Sequence, residues 1–223
     1  MKIAFFGGTF DPPHRGHLAI AQAAADRLHL DKVLFAPVGH QPLKDDCSVA
    51  SFEDRMALVR LAVAPYPGFE ASLADGPRSD NHPNYTIDTL NQLKKSLGPD
   101  DQLFCLIGAD SFLGLHHWHR AADLLFACNF IVAGRPGSGL TEMERVLPAG
   151  VTVAGDVQLS PDLFRFDLSG REGQRCKLYL LPDLQEDISA TEIRQSLTGD
   201  ARLKEVLPEA VASYIREHNL YRG

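Results

Sequence analysis

No stretch of this chain strings together the roughly 18 apolar residues that a helix needs to cross a bilayer, so a membrane protein of that kind is not expected. Basic residues are also short. Against 29 Asp and Glu stand 22 Lys and Arg, and the net charge of −7 argues against a surface for nucleic acid, which needs a basic patch. It leaves room for a small anionic ligand, because helix N-termini and local basic side chains set the field inside a cleft. Cysteine is sparse: Cys47, Cys105, Cys128 and Cys176 are scattered without a C-x-x-C pair, which points to neither a disulfide framework nor a zinc site. The first residues lack the charged and then apolar pattern of a secretory signal, and a cytoplasmic location is the expectation. Repeats, low-complexity tracts and dividing linkers are missing too, so residues 1–223 are expected to form one domain.

What is present is an alternation of short apolar runs with helical patterns. Strands are predicted at 2–6, 32–37, 69–72, 103–107, 129–133 and 177–181. Helices are predicted at 17–28, 52–63, 86–97, 111–115, 121–126, 141–146, 190–196 and 208–218, and loops at 39–51, 74–84 and 160–175. Such alternation implies right-handed crossovers: an α/β fold, Rossmann-like and doubly wound, with a mainly parallel sheet and helices on both faces. Ligands in such sheets bind beyond the carboxyl ends of the strands. His14, His17, Asp110 and Arg135 all follow predicted strands, and the first two loops could close over a substrate there.

The most telling segment is GGTFDPPHRGH at 7–17. A buried strand should run into a tight glycine turn and then a helix, with His14 and His17 three apart on one side of its mouth. Pro12 and Pro13 favour entry into the first turn, and Gly16 removes a side chain where a nucleotide would approach. Free N–H groups and the helix dipole make that mouth suited to phosphate. Near the other end, Ser189-Ala190-Thr191-Glu192 reads as a capping box, with Arg194 one turn further in, able to reach a phosphate. Asp110, after Ile107-Gly108, could accept from ribose hydroxyls or cap the next helix. His116, His117 and His119 crowd together, but their spacing fits no usual zinc pattern. Trp118 among them has a flat face for stacking on a heteroaromatic ring, or for anchoring to the core.

GGTFDPPHRGH resembles the HxGH signature of the nucleotidyltransferase superfamily, and Ser189-Ala190-Thr191-Glu192-Ile193-Arg194 resembles its second signature, S-x-T-x-x-R. With IGADSFLGLHHW, FIVAGRPG at 130–137 and Tyr85-Thr86-Ile87-Asp88-Thr89-Leu90, the chain is similar to the bacterial nicotinate-nucleotide adenylyltransferase family over nearly its full length. Leu43 stands where that family carries a histidine before Lys44, and Ala190 where it often has a second serine.

The resemblance implies adenylyl transfer from ATP to nicotinate mononucleotide in NAD biosynthesis. Gly8, Thr9, Phe10, His14 and His17 would meet ATP, with His17 on the α-phosphate. Asp110 would take a ribose and Arg135 the ATP side, while Ser189, Thr191 and Arg194 would hold the outgoing pyrophosphate. Lys44, Tyr85, Thr86 and Trp118 would meet the acceptor, the last three around the pyridine ring and its carboxylate. His14, His17, Lys44 and Arg194 would carry catalysis by positioning and charge stabilisation, with Mg²⁺ arriving on ATP. Nucleic acid and membrane are not expected as partners, and a homo-oligomer stays open. The alternatives are the same chemistry on nicotinamide mononucleotide, phosphopantetheine or another phosphorylated acceptor, and a nucleotide-binding regulator without catalysis.

Overall fold

The structure, a computed structural model, describes residues 1–41, 49–134, 146–182, 184, 190–195 and 205–221. Eight strands form one sheet in the order β3-β2-β1-β4-β5-β8-β7-β6. In chain order they are β1 (Lys2–Gly8), β2 (Lys32–Pro37), β3 (Phe69–Ala71), β4 (Gln102–Gly108), β5 (Asn129–Ala133), β6 (Thr152–Ser160), β7 (Leu163–Ser169) and β8 (Arg175–Leu181). The described helices are α1 (Arg15–Leu28), α2 (Phe52–Val63), α3 (Thr86–Lys95), α4 (Ala109–Leu113), α5 (Ala121–Leu125), α6 (Ala190–Gln195) and α7 (Glu209–Glu217).

The central strands are apolar throughout because both of their faces are covered. Successive side chains point to opposite faces: Ala4 and Phe6 of β1 join one core, and Phe5 joins the other. Strand β4 repeats this, with Phe104 and Leu106 on the first side and Leu103, Cys105 and Ile107 on the second. The first core takes buried residues from α1, α2 and α7, the second from α3, α4 and α5.

From β3 to β8 across the sheet all pairings are parallel. The chain builds β1, β2 and β3 outward, then returns to lay β4 on the other side of β1. The strand order therefore reverses between β1 and β4, which is where a doubly wound sheet opens a crevice. Both strands end in glycine, Gly8 and Gly108.

Two expectations need correction. Residues 160–175 are not simply a loop: β7 lies within that stretch and pairs antiparallel with both β6 and β8. Its Phe164, Phe166 and Leu168 alternate with Arg165 and Asp167, and one edge of the sheet is thus antiparallel. Nor do Gly7 and Gly8 make the turn after β1, since both are still strand. The left-handed residue is Phe10, at φ 49°. The glycines thin the strand end instead: a Cβ on Gly7 would lie 2.7 Å from the Phe5 ring, and one on Gly8 would lie 3.3 Å from the Phe10 ring. Of the expected helix over 141–146, residues 141–145 lie outside the described residues. No described helix is long and apolar enough to cross a membrane.

Candidate active site

Above the β1–β4 crevice opens a cavity of about 840 Å³, toward the upper end for ligand pockets. One shoulder is the segment between β1 and α1. Gly8, Thr9, Phe10, Asp11, His14 and His17 all border the cavity. Helix α1 starts at Arg15, with His14 as its extended N-cap, so Pro12 and Pro13 precede the helix instead of opening it. His14 and His17 lie face to face with ring centroids 3.7 Å apart and planes inclined by 32°.

The two imidazoles are held in a defined state. The His14 backbone N–H donates to His17 Nδ1 at 3.2 Å. A neutral His17 then carries its proton on Nε2. The His17 ring is packed edge-on against Phe10, with centroids 5.0 Å apart. Burial pushes His17 well below its ordinary value, and neighbouring His14 adds to the drop. Burial alone lowers His14 to about 4. Both are neutral hydrogen-bonding groups at pH 7, and among the described residues the buried Nδ1 of His14 has no hydrogen-bond partner.

Buried charge fixes the backbone around them. Arg55, on α2 and 2% exposed, donates from Nη1 to the Thr9 carbonyl at 2.8 Å and from Nη2 to the Val38 carbonyl at 2.9 Å. It ties the turn after β1 to the end of β2. Burial lowers its guanidinium below the ordinary value, and the charge of Asp11 opposes that drop. Asp11, 1% exposed, accepts the N–H groups of Val49 at 2.7 Å and Ala50 at 3.2 Å. Thr9 donates its hydroxyl to Gln41 Oε1 at 3.1 Å.

The second signature closes onto the first. Thr191 and Arg194 of α6 border the same cavity. Arg194 Nη1 donates to the Asp11 carbonyl at 2.7 Å, and Nη2 to Thr191 Oγ1 at 3.3 Å. Segments nearly the whole chain apart are thereby joined at one mouth.

The opposite shoulder comes from α3 and the segment after β4. Tyr85 is the N-cap of α3 and Thr86 its first residue, which leaves N–H groups of the first turn beside the cavity. Asn84 holds this end in place. Its Oδ1 accepts the His40 N–H at 3.0 Å, and its Nδ2 donates to the carbonyls of Asp75 at 3.0 Å and Gly76 at 2.9 Å. Its own N–H donates to the His40 carbonyl at 2.9 Å. Thr89 donates its hydroxyl to Asp75 Oδ1 at 2.7 Å. Burial raises the Asp75 carboxyl to about 6, against the opposing hydrogen bonds of Thr89 and Asn84. The Tyr85 ring stacks on His119 with centroids 4.1 Å apart. Trp118 sits beside it, after a 3₁₀ turn at Leu115–His117, and also borders the cavity.

On the floor between the shoulders, a Cβ added to Gly108 would meet nothing within 4 Å. Asp110 is the second residue of α4, whose N-cap is Gly108, so the capping alternative does not hold. Its position borders the cavity.

The structure thus brings Gly8, Thr9, Phe10, His14 and His17 together with Tyr85, Thr86, Asp110, Trp118, Thr191 and Arg194 around one space. Lys44, Arg135 and Ser189 lie outside the described residues. Sequence reasoning had assigned no part to Arg55, Asp75 or Asn84. Arg55 did leave a signal, as a charged residue on the same helical stripe as Leu58, Val59 and Ala62. Asp75 and Asn84 left none, since both lie in a polar stretch that reads as a loop and only the fold buries them.

Comparison with known proteins follows the same lines. The pattern of the cytidylyltransferase-like family matches residues 5–196. A probable nicotinate-nucleotide adenylyltransferase of Citrifermentans bemidjiense is 39% identical, covering 99% of this chain and 98% of the relative. One of Gloeobacter violaceus is also 39% identical, over 99% and 96%. Among solved structures, a Plasmodium falciparum nicotinic acid mononucleotide adenylyltransferase complexed with NaAD has the same fold, with a TM-score of 0.71 at 18% identity over 99% of this chain and 97% of that one.

Proposed function

The chain belongs to the nicotinate-nucleotide adenylyltransferase family, within the cytidylyltransferase-like proteins, and on that premise we propose that its cavity joins ATP to nicotinate mononucleotide. The observation that carries the reading is the meeting of both signature segments, through Arg194 and Asp11, on one shoulder of a cavity whose other shoulder is aromatic.

The 5′-phosphate oxygen of the acceptor attacks the α-phosphorus of ATP in line. A new phosphorus–oxygen bond forms, the bond to the bridging oxygen of the β-phosphate breaks, and pyrophosphate leaves. The attacking oxygen is already anionic at neutral pH, so no general base is needed. What remains for the protein is positioning and charge stabilisation. Neutral His17, its Nδ1 occupied by the His14 N–H, offers Nε2–H to a non-bridging oxygen of the α-phosphate. His14 and Thr9 bind the phosphates from the same side, with Gly8 and Phe10 shaping the backbone beneath, and Lys44 meets the phosphates or the phosphate of the acceptor. Arg194, Thr191 and Ser189 receive the pyrophosphate, and Asp110 and Arg135 hold the nucleoside side of ATP. Tyr85, Thr86 and Trp118 grip the pyridine ring and its carboxylate, the latter through N–H groups at the start of α3.

Nucleotidyl transfer implies a divalent cation. Among the described residues no group of three His, Cys, Asp or Glu side chains stands together to cage one. Mg²⁺ would arrive on ATP, carried by phosphate oxygens and water, and would there neutralise triphosphate charge.

Release of pyrophosphate tests the reading. ATP and Mg²⁺ are supplied with nicotinate mononucleotide, nicotinamide mononucleotide, phosphopantetheine and a simple phospho-alcohol in turn. The expected result is rapid release and a nicotinate adenine dinucleotide product with the first. A clear preference for another acceptor would overturn the substrate assignment.

A further inference from the structure

The end of the described chain reaches the reaction centre. Helix α7 packs on α2, and its Tyr214 hydroxyl donates to Asp54 Oδ1 at 3.0 Å. Beyond α7 the chain turns back through two left-handed residues, Asn219 at φ 53° and Tyr221 at φ 63°. Residues other than glycine keep that conformation only where their surroundings impose it. Here the outcome is a long-range bond: the Tyr221 hydroxyl donates to Asp11 Oδ1 at 2.7 Å. The same Asp11 presents its main-chain carbonyl to Arg194 Nη1 at 2.7 Å. The Tyr221 hydroxyl is raised far above its ordinary value by burial, by this hydrogen bond and by the charge of Asp11, with Arg194 and Arg55 opposing. It is therefore protonated, and a donor, at neutral pH.

We propose that Tyr221 is a positioning residue for adenylyl transfer, acting through Asp11 on the guanidinium of Arg194. The hydroxyl anchors the Asp11 side chain, and the anchored Asp11 presents the carbonyl that aims Arg194 at the cavity. Tyr221 is not among the described residues that border the cavity, whereas Asp11 and Arg194 are. The inference rests on the adenylyl-transfer reading, in which Arg194 holds the β- and γ-phosphates.

The test is Tyr221→Phe, which removes one oxygen and keeps the ring. The expected change is a threefold to tenfold rise, of the order that loss of one hydrogen bond brings, in KM for ATP and in the inhibition constant of pyrophosphate. KM for the acceptor should stay within about twofold of its starting value. Unchanged ATP and pyrophosphate constants would overturn the proposal, even with a lower melting temperature, and so would an equal rise in both KM values. Should the Phe variant fail to fold, Asp11→Asn keeps the size of the side chain, weakens the bond to Tyr221 and is read by the same criteria. Calorimetric titration with ATP separates this inference from its premise. If the unaltered protein forms no dinucleotide with any acceptor, the functional reading fails, while the ratio of ATP affinities still decides the role of Tyr221.

Discussion

The two shoulders of the cavity are held in contrasting ways. On the side assigned to ATP, the backbone is pinned from far along the chain: Arg55 binds Thr9, and Arg194 and Tyr221 bind Asp11 across 183 and 210 residues. On the side assigned to the acceptor, the ties described above span no more than the 44 residues between Asn84 and His40. Asn84 reaches back eight and nine residues to Gly76 and Asp75, and a ring stack finishes the wall. Phosphoryl chemistry needs charges fixed to fractions of an ångström, and contacts from several elements provide that. Recognition of a flat ring needs a face and a few N–H groups, which one helix start and one aromatic segment supply.

Four substitutions test this contrast. His17→Ala, on the first shoulder, should lower kcat about 100-fold or more, because a donor used mainly in the transition state is lost. Steady-state pyrophosphate release measures this, and a fall below about threefold would remove His17 from the centre of the mechanism.

Asn84→Ala comes next. It strips the His40 N–H and two carbonyls of their partners and should cost about 2–3 kcal/mol in urea unfolding. In the folded variant KM for the acceptor should rise and KM for ATP should not. A rise confined to ATP would reverse the assignment of the shoulders.

Trp118→Ala should raise KM for the acceptor by about tenfold, the scale of one lost ring stack. Equal effects on both KM values would dissolve the distinction between the two sides.

The smallest effect is one of pH. The unfolded chain takes up a proton at a histidine below about pH 6.5, whereas folded His14 does so only below about 4. Acidification across that window therefore costs stability. Asp75 works in the other sense, since the folded chain binds its proton below about 6 and the unfolded chain only below about 3.8. Asp75→Asn removes this counterweight. Relative to the unaltered protein, the variant should lose about 1 kcal/mol between pH 7 and pH 5, followed by urea unfolding at each pH. A stability difference independent of pH would show that Asp75 is not protonated in that range.

How much was legible depended on where each residue's partners lie. Strands such as Ala4-Phe5-Phe6 and Phe130-Ile131-Val132 announce themselves because burial on both faces demands continuous apolar sequence. The β6–β7 hairpin was hidden because β6 is mostly exposed at the sheet edge and carries no apolar run. Strand β7 did carry a period of two at Phe164, Phe166 and Leu168, masked by the polar residues around it. The cavity residues stood out because turns after strands concentrate them in short motifs. Asp75, Asn84 and Tyr221 did not, because their burial and bonds arise only in the folded chain, and Arg55 showed only as a charge on an apolar helical stripe.

The bond between Tyr221 and Asp11 also has a consequence in time. A ribosome adding roughly 5–20 residues per second takes on the order of ten seconds or more to travel from one to the other. For most of that interval a nascent chain already contains GGTFDPPHRGH, yet has neither the guanidinium of Arg194 nor the hydroxyl of Tyr221 that later settle on Asp11. The segment around Asp11 is thus synthesised well before the residues that complete its hydrogen bonds. A product cut short before Tyr221 would keep its strands and lack this seal.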